Sequence, residues 1–143
     1  MKKRISLLLV FMLMLNICIP SVAALDFDEG NPEPIVEEYI NINDFSCGLS
    51  ILSGGNARCS GYARSRTVSD SVHLTISLMR QNSNGSWSTV VTWSSTHIGD
   101  NALTKYHYVT SGHNYKVVAS VAIYSSSGVY IESAVKTSHV VYY

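Results

Sequence analysis

The chain has 143 residues, with ten Lys and Arg balancing ten Asp and Glu and only 14% of its residues charged. A balance this even, with its cations scattered, falls well short of the basic footprint of a nucleic-acid-binding domain. The charge is unevenly placed, however, and its distribution divides the chain.

Met1, Lys2, Lys3 and Arg4 precede the apolar run "ISLLLVFMLMLNICI", and small residues follow Pro20. A basic start, an apolar stretch and a small-residue end form the pattern of a secretory signal peptide over residues 1–24. A membrane span would need roughly 20 apolar residues, whereas Asn16 interrupts this run and Pro20 ends it. Val22 and Ala24 fit cleavage before Leu25, and cleavage after Ala23 fits as well. Cys18 leaves with the signal, and "LNIC" lacks the small residues that precede a lipoprotein cysteine. The C-terminal "SHVVYY" carries neither a wall-sorting motif nor an apolar tail. The expectation is a secreted, extracellular protein without stable membrane insertion, held at a surface only by what it binds.

Residues 25–44 hold Asp26, Asp28, Glu29, Glu33, Glu37, Glu38 and Asp44, together with two prolines. A charge run without periodic apolar residues reads as a solvated spacer. The remainder, 45–143, carries seven Lys and Arg against Asp70, Asp100 and Glu132, a balance of +4. That mild excess favours anionic surfaces such as wall polymers.

From Phe45 onward no helical period is found, and short alternating runs are separated by Gly, Ser and Asn. In "SVHLTISLMRQ", Val72, Leu74, Ile76 and Leu78 share one face, with His73, Thr75 and Ser77 on the other. "NSNG" turns the chain, and in "SWSTVVTWSS" strict alternation puts Trp87, Thr89, Val91 and Trp93 together. Tyr115, Val117, Ala119, Val121 and Ile123 alternate in "HNYKVVASVAIY", and "SSSG" leads to a closing strand. About seven strands are expected, near 45–51, 56–64, 71–81, 86–95, 102–109, 113–124 and 129–142. Seven short strands in about a hundred residues predict an all-β, two-sheet antiparallel β-sandwich.

Val109, Gly112 and Tyr115 have the apolar-x-x-Gly-x-x-Tyr spacing that precedes the sixth strand of fibronectin type III domains. "YKVVASVAIYSSSG" resembles that strand and its turn, and "LMRQNSNGSWSTV" the preceding C–C′ hairpin, so the likeness covers residues 72–131. It implies an immunoglobulin-like or fibronectin-like sandwich in which the Tyr115 hydroxyl bonds back into the loop before it. The usual second-strand tryptophan is missing, and the Cys47/Cys59 hairpin stands in its place. The whole chain also resembles small secreted all-β proteins of Gram-positive bacteria, a likeness that brings no activity with it.

Export would put Cys47 and Cys59 where disulfides persist. A three- or five-residue loop would set the two directly opposite, with Cβ atoms about 4.5–5.5 Å apart, close to disulfide geometry. A redox pair would more naturally be C-x-x-C, and zinc would want two further ligands at suitable spacing. A structural disulfide between Cys47 and Cys59 is therefore expected.

Among His73, His97, His107, His113 and His139, only His107 and His113, either side of "TSG", suggest convergence on a metal. No Asp or Glu accompanies them at ligand spacing, and solvated strand residues are the plainer reading. No metal or other cofactor is expected. There is no G-x-S-x-G elbow, and three scattered carboxylates do not pair as a glycosidase requires. The chain reads as non-catalytic.

The aromatic residues are the candidates for binding. Trp87 and Trp93 read either as core or as a platform for a sugar or a partner, and Tyr106 and Tyr108 form a second pair. The resulting expectation is a secreted recognition or interaction module for an unknown protein or a surface glycan. A small antimicrobial or toxin-like effector and a carbohydrate-binding module are the alternatives.

Overall fold

The structure is a computed structural model that describes residues 38–143. The expected signal peptide and most of the acidic lead lie outside the described residues. The elements run β1 (Ile42–Leu52), β2 (Asn56–Ser65), β3 (Ser71–Gln81), β4 (Trp87–Ile98), β5 (Asp100–Tyr108), β6 (Asn114–Tyr124), β7 (Tyr130–Thr137) and β8 (Val141–Tyr142).

Two antiparallel sheets pack face to face, one ordered β1-β2-β5 and the other β4-β3-β6-β7, with β8 also pairing with β6. The fold is thus an all-β sandwich of eight strands, where the sequence predicts seven. The difference lies in the closing strand, which breaks at Ser138. There the backbone N–H of Ser138 donates to the Val117 carbonyl, and the Val117 N–H donates to the Ser138 hydroxyl. A side chain substitutes for one rung of the ladder, so β6 keeps its partners across the break.

Strand period dictates the core. β3 and β6 lie inside the larger sheet, and their alternation buries Val72, Leu74, Ile76 and Leu78 against Tyr115, Val117, Ala119, Val121 and Ile123. From the smaller sheet come Phe45, Leu49 and Leu103, together with the small residues Ala57, Cys59 and Ala63. Gly61 lies between them, and a Cβ added there would stand 2.6 Å from the Ile76 Cγ2. The second strand is built of small residues because the large side chains of β3 fill the space opposite. This is the local reason that no tryptophan stands in β2.

The folded region starts earlier than the expected boundary at residue 45. Ile42 is buried, and its N–H donates to the Glu132 carboxylate on β7, as do those of Asn41 and Ile40, at 3.0, 2.7 and 3.1 Å. Lys136, four residues further along β7 on the same face, donates to the Phe45 carbonyl at 2.8 Å. Residues 40–42, read as part of the spacer, are therefore held by a side chain some ninety positions away in the sequence, and Phe45 by a second on the same strand.

Candidate recognition faces

The hairpin expected to carry a disulfide has a different register. Its loop is three residues long but centred on Gly54, because Gly54 and Gly55 both take positive φ (82° and 79°) and must lie in the turn. Cys47 consequently faces Gly61, and Cys59 faces Leu49. The two cysteines are diagonal neighbours on the inner face, where Cα atoms lie about 7–8 Å apart, beyond the reach of a disulfide without backbone movement. Both are free thiols, which corrects the expectation. Burial pushes the Cys59 thiol up to about 11. Burial also raises Cys47, against the opposing pull of the Ala119 backbone and the Lys136 charge. Neither thiol is activated for chemistry.

The two tryptophans do not share a face. Leu78 pairs with Val91, but the next residue, Met79, pairs with Thr89, so Val90 is an extra residue in β4. A bulge of this kind shifts the alternation by one. Val91 and Trp93 point inward and pack on the core, with Trp93 edge-on to His107 of β5 at 6.3 Å. Trp87 lies opposite Gln81 on the outer face, half-buried, with the Lys116 ammonium 4.3 Å from its ring centroid. The Trp87/Trp93 platform is corrected into an edge seal and a separate outer-face residue.

Tyr106 and Tyr108 stand side by side on the outer face of the smaller sheet, 56% and 76% exposed. Arg58 lies opposite Tyr106, and further along β2 the Arg64 Nε donates to the Tyr62 hydroxyl at 2.9 Å. Beside Arg58, the small residues Gly48, Ser50 and Ser60 leave a shallow open depression of about 190 Å3, closed on one side by His139. Arg58 and Tyr62 escape notice in the sequence because the cysteines dominate that segment. Their parity in "ARCSGYAR" is the signal that places them outward.

Val109, Gly112 and Tyr115 form a built corner. The Tyr115 ring is buried, and its hydroxyl donates to the Thr110 carbonyl at 2.8 Å. Gly112 takes φ 83°, and its N–H donates to the Tyr143 carbonyl, so the last residue is tied to the same loop. His107 and His113 have different neighbours, Trp93 and Tyr115 respectively. Among the described residues no three His, Cys, Asp or Glu side chains gather to hold a metal, and no helix is long and apolar enough to cross a membrane.

Asn101, which the sequence does not single out, is a buried polar tie. Its amide donates to the Val72 and Ser95 carbonyls and accepts from the Ser95 hydroxyl, joining β5 to β3 and β4 of the other sheet. No protein-family model matches this chain, and no curated protein matches its sequence.

Proposed function

We propose that this is an exported, non-catalytic recognition module that engages its partner through the outer face of the β1-β2-β5 sheet. The exposure of Tyr106 and Tyr108 carries the reading, since neither ring belongs to the core or to the shell packed on it. Tyrosine offers a large, stiff contact area at little entropic cost, and arginine is the charged residue most enriched at binding hot spots. Arg58 stands directly beside Tyr106. The basic, apolar and small-residue succession in residues 1–24 supports export. The strand order and the Tyr115 corner support the likeness to fibronectin type III domains, a sandwich whose function resides in its surfaces.

The test is saturable binding of labelled protein to bacterial cells and to purified wall polymers. Replacing both Tyr106 and Tyr108 with serine should weaken binding by roughly tenfold or more, as expected for removal of aromatic anchors. The rings make no core contact, so the fold should be unchanged. Binding that survives the double substitution would move the interface elsewhere.

A further inference from the structure

The outer face of the larger sheet has a composition that the fold does not require. Its register sets out three successive rungs: Thr96, His73, Ala122 and Ser133; then Ser94, Thr75, Ser120 and Val135; then Thr92, Ser77, Val118 and Thr137. Eight of these twelve positions are Ser or Thr, and none is Lys, Arg, Asp or Glu. An ordinary solvated sheet face carries mixed charges, which maintain solubility. The first charge met beyond the rungs is Lys116, and it already lies over the Trp87 ring.

The hydroxyls are ordered. Thr75 bonds Ser94 at 2.9 Å and Ser77 bonds Thr92 at 2.8 Å, across the β3–β4 pair. Each bond uses one of the two hydroxyl protons and leaves the other proton and the remaining lone pairs available to a ligand. Aromatic rings bound the array at both ends. At one end His73 meets Tyr124 at 4.7 Å with the rings tilted by 44°, and Tyr124 meets Tyr130 edge-on at 5.8 Å. At the other end lies Trp87, opposite Gln81, and the six steps from His73 to Met79 span about 20 Å.

These features select among occupants. A nucleic acid or acidic polymer would need cations, which the three rungs lack. A protein partner would want an aromatic or arginine anchor at the centre of the face. Here the centre is hydroxyl, with only Ala122, Val118 and Val135 apolar. A neutral polysaccharide meets each requirement. It carries no charge, it pairs hydroxyls with hydroxyls, and its sugar faces stack on aromatic rings. We infer that this face binds an uncharged, hydroxyl-rich polysaccharide lying along the strands between Trp87 and Tyr130. The site is on the opposite sheet from Tyr106 and Tyr108 and does not depend on them.

The test is co-sedimentation of the purified protein with insoluble chitin, cellulose and starch, in low and in high salt. Saturable retention that persists in high salt is expected on at least one of them. Thr92→Glu with Ser94→Glu alters two exposed positions of an edge strand and should weaken retention by roughly tenfold or more, because a bound neutral chain would leave the new carboxylates desolvated and unpaired. Tyr130→Ala, a second exposed site, should also weaken it, whereas Tyr106→Ser with Tyr108→Ser should leave it unchanged. Unfolding midpoints confirm that each variant is folded. The inference is overturned by no retention on any of the three, by equal retention of the Thr92→Glu/Ser94→Glu protein, or by retention that high salt abolishes.

Discussion

Gly61 and Ile76 face each other across the sandwich so closely that a methyl group on the glycine would stand 2.6 Å from the isoleucine Cγ2. Leu74, at 3.6 Å, closes the same space from its other side. The separation of the two sheets at this point is set by the lack of a side chain on β2. Gly61→Ala should therefore destabilise the protein by about 1–3 kcal/mol through overpacking, since a close-packed core cannot absorb the added volume. Urea denaturation should show a lower midpoint with an unchanged slope. In an Ile76→Ala background, which lacks the Cγ2 methyl at the contact, the same glycine substitution should cost less than it does in the parent. Equal stability of Gly61→Ala and the parent would show that the sheets slide apart freely.

Glu132 makes the attachment of residues 40–42 sensitive to acid. Its partial burial alone would raise its pKa, but the backbone N–H bonds from Asn41, Ile40 and Ile42 outweigh that and hold it below the usual carboxylate range. The unfolded chain binds this proton more readily than the folded one. The stabilisation is therefore complete above the ordinary glutamate value and is lost as pH falls through the lower, folded one. On acidification the protection of the Ile40, Asn41 and Ile42 amides against hydrogen exchange, corrected for the intrinsic rate at each pH, should fall before that of the β3 and β6 amides. Glu132→Gln should cost about 1 kcal/mol at neutral pH, the modest figure suited to a partly solvated site, and should flatten the acid response. If the protection of those amides stays constant across this range, the carboxylate does not hold the segment.

The cysteines make a prediction that a mass spectrum decides. Both should be recovered as thiols, with no loss of two hydrogens and no mass change on reduction. In the folded protein a thiol reagent should modify half-buried Cys47 slowly and leave Cys59 untouched, because burial pushes the latter's pKa to about 11 and leaves almost no thiolate near neutrality. Unfolding should expose two reactive thiols. A native intramolecular disulfide would require Cys47 to oppose Cys59 and would refute the register centred on Gly54.

Most of the architecture is legible in the alternation of single strands. Val72 through Leu78 and Tyr115 through Ile123 reveal their buried faces directly, since each strand lies inside a sheet with one face on the core. Tyr115 is legible too, because its corner is local in sequence. What escapes is what depends on register or on distant partners. The extra residue at Val90 separates Trp87 from Trp93, and nothing in "SWSTVVTWSS" marks where the ladder slips. The loop length between the cysteines can be guessed, but the centre of the loop cannot be fixed without knowing that both glycines adopt positive φ. Residues 40–42 read as spacer because the carboxylate that holds them, Glu132, lies on the seventh strand. The hydroxyl face was present in the alternation of β3 and β4, but only the pairing with β6 and β7 shows its extent.

The side chains along β1 have a consequence for how molecules of this protein meet one another. A sheet whose last strand presents open N–H and C=O groups is a template on which a second copy adds its own strand, and growth of that kind ends in aggregates. Here Glu132 and Lys136 occupy donors and an acceptor at the start of β1, and the bulge at Val90 breaks the regular spacing of β4. A flat, uncharged surface survives at high concentration only if its borders do not recruit neighbours. In this molecule a carboxylate and an ammonium cap the start of one border strand and a surplus valine interrupts another, which makes both poor templates for a neighbouring copy.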